Sequence, residues 1–132
     1  MKTVYLCGPI NGCTDDEAIT WRESFKSRWN IPNSRRCLDP MRRDYRGVES
    51  VAYREIVDLD KKDVRNSDVI LVNYVKPSVG TSMEVFYAHS IGKPVVVWCE
   101  EKANLSPWMV YHSSTIVHTE SDAFDACLRC VR

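Results

Sequence analysis

The chain has 132 residues, enough for one domain built on a single core and too few for two. Eighteen basic side chains offset eighteen acidic ones, so no whole-molecule field draws it to nucleic acid or to an anionic membrane; a small-molecule partner is expected. The N-terminus enters a strand directly and no apolar run approaches bilayer-spanning length, so a cytoplasmic protein is expected. Six scattered cysteines (Cys7, Cys13, Cys37, Cys99, Cys127 and Cys130) read as reduced thiols rather than a disulfide framework. Cys127 and Cys130 form a lone C-x-x-C with no second pair and no nearby His, and neither a metal nor a cofactor is expected.

In chain order, Thr3 to Cys7 reads as a first strand. Gly8-Pro9-Ile10-Asn11-Gly12 is then a turn whose glycines let backbone approach a ligand closely, though it is neither a Walker loop nor a dinucleotide fingerprint. A helix follows, capped at Thr14 with Glu17 three residues on, and Ala18, Trp21, Phe25 and Trp29 form its buried stripe. A short second strand ends near Cys37-Leu38. The polar loop from Asp39 to Gly47 carries three arginines, which either meet an anion or pair with the acidic helix that follows. That helix runs from about Ser50 to Arg65 through Ala52, Ile56, Leu59 and Val64. Most of its acids, Glu55, Asp58, Asp60 and Asp63, should face water, with Asp63 the one able to point into a crevice.

The run from Asp68 to Tyr74 is β-branched and apolar, the pattern of a central parallel strand covered on both faces. Val75 to Gly80 cannot propagate it. Thr81-Ser82-Met83-Glu84 reads as a capping box opening a helix that Gly92-Lys93-Pro94 stops, which puts Glu84 in the first helical turn. Two readings of Glu84 stand side by side. It is the far half of a capping box, or, because Tyr87, Ala88 and Ile91 share its face, it is a partly desolvated carboxylate that the helix dipole keeps ionised, as a nucleophile requires.

Val95 to Trp98 is a fourth strand, Ser106-Pro107 a cap and first-turn pair for a short helix, Thr115 to Val117 a fifth strand, and Ser121 the cap of a last helix through Phe124 and Leu128. Five strands alternating with helices predict a single-domain α/β sandwich over residues 1–132, with a flavodoxin-like parallel sheet in the order 2-1-3-4-5. In such a sheet the ligand crevice lies at the carboxyl ends of the strands.

Five segments in order carry a resemblance over nearly the whole chain. They are Tyr5-Leu6-Cys7-Gly8-Pro9-Ile10, Asp39-Pro40-Met41-Arg42, Asp63 before Ser67-Asp68, Gly80-Thr81-Ser82-Met83-Glu84 with Ala88, and Gly92-Lys93-Pro94. Together they resemble the nucleoside 2-deoxyribosyltransferase family, most closely its short, phage-type members. The resemblance implies that Glu84 attacks the anomeric carbon of a deoxyribosyl donor and holds the sugar as an ester, while Tyr5 orients it. It implies that Asp63 bonds the sugar hydroxyl or helps protonate the departing base, although the aspartates near it are candidates that only geometry can separate. The turn from Gly8 to Gly12, with Arg42, Ser78, Gly80 and Ser106, would bind substrate. Two departures leave the acceptor open between water and a second base. Ser78 stands where base-exchanging members have Asp, as in the related deoxynucleoside 5′-monophosphate N-hydrolases, yet Asn11 stands where those hydrolases carry Arg. The resemblance further implies a homodimer or larger homo-oligomer that lends the loop from Asn104 to Trp108 to a neighbour's site, and Trp108 and Met109 beside Pro107 suit an interface core. The competing reading is a nucleotide-binding module that has lost turnover, against which the intact Tyr5, Asp63 and Glu84 set argues.

Overall fold

A computed structural model describes residues 1–132. Its five strands, β1 (Lys2–Cys7), β2 (Arg35–Leu38), β3 (Val69–Asn73), β4 (Val95–Trp98) and β5 (Thr115–Val117), pair in parallel in the order β2-β1-β3-β4-β5, as the alternation of strand and helix patterns predicts. The intervening helices are α1 (Trp21–Trp29), α2 (Glu49–Arg65), α3 (Val79–Ser90), α4 (Pro107–His112) and α5 (Glu120–Cys130).

Side chains on a strand alternate between faces, and here the alternation divides the core in two. Val4, Leu6, Val69, Leu71 and Val96 pack with Trp21, Phe25 and Trp29 of α1 and with Ala123, Ala126 and Cys127 of α5. Tyr5, Cys7, Ile70, Val72, Val95 and Val97 pack on the other face with Val64 of α2, Val85 and Ala88 of α3, and Met109 of α4. The order reverses between β1 and β3, so the crevice between their carboxyl ends is the switch point where ligands bind in open α/β sheets.

The helix starts show where local pattern is ambiguous. At Thr14 the expected reciprocal cap forms: the Thr14 N–H donates to Glu17 Oε1 at 3.0 Å and the Glu17 N–H to Thr14 Oγ1 at 3.2 Å. The chain then makes one π-helical turn, Asp16–Thr20, before α1. The Ser106 hydroxyl accepts the Met109 N–H at 3.3 Å, capping α4 as expected. At α3, however, the capping box over Thr81 to Glu84 does not exist. Ser78 is extended (φ −150°, ψ 129°) and accepts the Thr81 N–H, so the helix begins at Val79, three residues earlier than the sequence suggests. Two hydroxyl residues three apart both qualify as caps, and burial of Thr81 against the sheet decides for Ser78. Glu84 is thereby moved from the first turn to the second. The last helix is likewise capped two residues earlier, by Thr119 accepting the Asp122 N–H, rather than by Ser121.

Candidate active site

Four strand and helix ends converge beside the switch point. The turn after β1 brings Gly8, Ile10 and Asn11; the loop after β2 brings Pro40, Met41, Arg43 and Arg46; α2 presents Ile56 and Asp60; and the start of α3 presents Ser78, Gly80, Thr81 and Glu84. They enclose a cleft of about 180 Å³. Gly8 lets the backbone approach closely there: a Cβ would come within 3.1 Å of the Asn73 carbonyl oxygen and 3.2 Å of the Trp21 ring, tight enough that one of them would have to give way.

A buried cation holds two of these walls. Arg22 of α1 is fully buried and donates to the carbonyls of Ala18, Leu6 (3.3 Å) and Gly8 (3.1 Å). It also lies 3.5 Å from Asp39, whose other oxygen meets Lys26 Nζ at 2.8 Å. Asp39 in turn caps the short 3-10 turn Pro40–Arg42 by accepting the Met41 N–H at 2.8 Å. One ion pair thus ties the glycine turn to the arginine loop, and a buried charge pair of this kind is strongly destabilising to break from one side.

At the floor of the cleft, Glu84 is half-buried as a residue but its Oε2 is sealed from solvent without a hydrogen-bond partner. The hydroxyl of the fully buried Tyr5 is also unpartnered, as is the Thr81 hydroxyl. Burial, and then the nearby Asp60 charge, push the Glu84 pKa up to about 7, while Tyr5, Cys7 and the buried Arg22 pull it back down. Glu84 thus lies one turn deeper in α3 than expected, where burial and Asp60 raise its pKa more than Tyr5, Cys7 and Arg22 lower it. Asp60 lines the same cleft and is raised to about 6, first by burial and then by Asp63, against the lowering effect of Arg43.

Asp63 is placed differently. Burial tends to raise it, but its oxygens accept from Arg42 Nη2 and Arg43 Nη2, each at 2.8 Å, and these bonds hold it below the usual carboxylate range. It does not line the cleft, and neither does Arg42, which spends its other nitrogen on the Asp39 carbonyl at 2.8 Å. Among the remaining residues singled out in the sequence, Gly8, Ile10, Asn11, Ser78, Gly80 and Glu84 meet at the cleft. Pro9 is buried behind the turn, and the carbonyl of exposed Gly12 accepts from Lys76 at 3.0 Å. Ser106 lies on a separate groove between α3 and α4. Asp60 was legible in principle: it is four residues from both Ile56 and Val64, on the helix stripe that packs inward. Arg22 carried no comparable signal, since an arginine on an amphipathic helix is ordinarily solvated.

The sequence matches the family described as nucleoside 2-deoxyribosyltransferase over residues 4–127. Comparison with curated proteins gives no match. Among solved structures, the fold is similar to a 2-deoxyribosyltransferase from Bacillus psychrosaccharolyticus (TM-score 0.72, 15% identity, covering 93% of this chain and 90% of that one). It is similar also to the CMP N-glycosidase BcmB of Clostridium botulinum (TM-score 0.59, 17% identity, 95% and 97% covered). A conserved protein from Enterococcus faecalis V583 superposes with a TM-score of 0.78 at 16% identity, covering 98% of each chain. At these identities the structural likenesses establish the fold, and the family match over nearly the whole length establishes more: the chain belongs to the nucleoside 2-deoxyribosyltransferase family, glycosyl-transferring enzymes that act on small-molecule nucleosides.

Proposed function

We propose that this enzyme cleaves the N-glycosidic bond of 2′-deoxynucleosides or their 5′-monophosphates through a covalent deoxyribosyl ester on Glu84. The observation that carries this reading is the pair of carboxyls, Glu84 and Asp60, that line one cleft, both raised by burial, with the Asp60 charge raising Glu84 further. With Glu84 raised to about 7 and Asp60 to about 6, a singly protonated pair carries its proton mainly on Glu84, and the reactive arrangement, Glu84 ionised to attack and Asp60 protonated to donate, is its minor form. Ionised Glu84 bonds to C1′ as the bond from C1′ to the base nitrogen breaks; its electron pair leaves with the base, and Asp60 supplies the proton that neutralises it. Water or a second base then attacks C1′ from the vacated side, Asp60 takes the incoming proton, and Glu84 is released ionised. Two displacements at one carbon retain its configuration, as in retaining glycosidases.

Tyr5, buried against Glu84, orients its carboxyl. The acid role that the family resemblance suggests for Asp63 falls in our reading to Asp60, because both oxygens of Asp63 are already bonded to Arg42 and Arg43. Asp63 then serves to hold Arg43 at the cleft wall. A 5′-phosphate would meet the amino end of α3, where Ser78, Gly80 and the buried, unpartnered Thr81 hydroxyl line the cleft, with Asn11 and Arg46 in the same lining.

The active unit in this reading is a homo-oligomer. Sites for whole small molecules commonly span roughly 300–1,000 Å³, so the catalytic cleft needs another wall to enclose a nucleoside. Gly80 and Glu84 line both this cleft and an apolar groove between α2 and α3, which continues to exposed Met83, Phe86 and Trp108. Trp108 is 71% exposed, and a second copy seated on this face would cover it and bring its own Ser106 loop toward the site. Incubating the protein with deoxynucleosides and their 5′-monophosphates, with and without a second base, tests the reading. Free base or exchanged nucleoside should appear, and a Glu84→Ala variant should produce neither; turnover by that variant would overturn the assignment.

A further inference from the structure

Beyond the carboxyl ends of β3, β4 and β5 lies a second cleft, of about 660 Å³, which the chemistry above does not use. Consecutive residues Pro77 and Ser78 line the two clefts, so a single stretch of backbone separates them. Asn73, the last residue of β3, is 8% exposed, and its side-chain amide lines the second cleft without any hydrogen bond inside the chain. Its amide is not sealed from solvent, so its two donors and its acceptor stay open to the cleft and are free to bond a ligand in place of water. Half-buried Trp98 supplies a flat wall, its ring fixed edge-on to Trp21 at 6.3 Å. His118 on the rim has its Nδ1 2.9 Å from the Cys99 carbonyl, so that nitrogen carries the proton and Nε2 is left for a ligand.

The charge of the lining selects among planar ligands. Lys76 is already committed, to the Gly12 carbonyl at 3.0 Å and to Glu17 at 3.5 Å, while exposed Glu100 and Lys102 offset each other. No helix start and no arginine lines this cleft, whereas the catalytic one has both, so a phosphate dianion finds no counter-charge here. We infer that the second cleft binds a free nucleobase, stacked on Trp98 and read along one edge by the amide of Asn73, which is paired in register with Trp98, and by His118 Nε2. A primary amide matches the adjacent donor and acceptor of a base edge, and aromatic faces accept any base. The choice of a nucleobase over other planar heterocycles rests on the proposed function, since a base is what that reaction releases or takes up. Because Lys76 tethers the shared wall to the glycine turn, occupancy would bear on the catalytic cleft from behind.

Calorimetric titration with adenine and with cytosine tests this, using the parent protein, Glu84→Ala, Asn73→Asp and His118→Ala, each checked for an intact melting transition. Base binding should persist in Glu84→Ala, weaken at least tenfold in Asn73→Asp and weaken severalfold in His118→Ala, whose exposed side chain leaves folding undisturbed. Turnover at saturating deoxynucleoside in Asn73→Asp and His118→Ala should stay within twofold of the parent. Base affinity unchanged in both variants, or no saturable binding by the parent at millimolar base, overturns the inference while leaving the catalytic assignment standing. Asn73-dependent binding by a protein with no glycosidic turnover would do the reverse.

Discussion

The two faces of the sheet are built to different standards. On the side of α1 and α5, Phe25 stacks on Trp29 at 5.8 Å and Phe124 meets Trp29 edge-on at 5.5 Å, forming a closed aromatic layer. On the side of α2, α3 and α4, the hydroxyls of Tyr5 and Thr81 and the Oε2 of Glu84 are sealed in without partners, and Met83, Phe86 and Trp108 stay exposed. The first face leaves one buried polar atom without a partner, Trp21 Nε1; the second leaves three, gathered around one cleft. Unsatisfied groups concentrated in this way mark where stability has been surrendered so that an incoming molecule can complete the set.

If that contrast is right, mutations on the two faces separate cleanly. Glu84→Gln should lower kcat/KM by at least about a thousandfold, the scale seen when a nucleophile is removed. It should also stabilise the fold. The folded pKa of Glu84 is raised to about 7 from an ordinary 4.5, so the native state holds the proton more tightly and stability falls as pH rises between those values. The gain in Tm of Glu84→Gln should thus be present at about pH 8 and absent at about pH 4.5. Phe25→Ala on the closed face should do the opposite, losing about 3–5 kcal/mol of stability while the folded fraction keeps its turnover number. Denaturant titration and kinetics on the same samples check both.

A finer cut lies within α2, where two aspartates one turn apart have different partners. Asp60→Asn should reduce kcat/KM by about 10²–10⁴ and remove the alkaline limb of the pH profile, as loss of a general acid does. Asp63→Asn should leave that limb in place and act on stability, by about 2 kcal/mol, through its lost bonds to Arg42 and Arg43. In the parent enzyme the productive form carries one proton on the pair. Activity should fall on the acid side as both carboxyls protonate and on the alkaline side as both ionise, a narrow bell between about 6 and about 7. A broad plateau extending well above pH 8 would return Asp60 to a purely structural role.

These contrasts also show what the sequence could and could not reveal. Strand order and the buried stripe of α1 were legible because periodicity reports burial directly, and Ala18, Trp21, Phe25 and Trp29 are all buried. The start of α3 was not, because Ser78 and Thr81 are chemically equivalent caps and only packing against β3 chooses between them. Asp60 and Asp63 were inseparable for a related reason. Both sit near the inward stripe, and what distinguishes them is the position of Arg42 and Arg43, which arrive from a loop some twenty residues earlier. Nor did composition hint at Arg22, whose burial is made tolerable by three carbonyls and Asp39 from three different parts of the chain.

The smallest predicted effect concerns Ser78, which serves the fold and the site at once. Its hydroxyl oxygen accepts the Thr81 N–H at 3.3 Å, and at the amino end of α3 it lines the cleft, as Asn11 does. A 5′-phosphate there would receive hydrogen bonds from that hydroxyl and from free helix N–H groups, with the positive end of the dipole behind them. Ser78→Asp keeps the cap, since Asp caps as well as Ser, but sets a carboxylate against the dianion. The melting curve should therefore move little. The ratio of kcat/KM for a deoxynucleoside monophosphate to that for its nucleoside should be at least about tenfold in the parent, about 1.4 kcal/mol, and should collapse toward unity in the variant. A parent that treats both substrates alike would mean that Ser78 merely starts a helix, and that the unpartnered Thr81 hydroxyl awaits the sugar or a water instead of a phosphate.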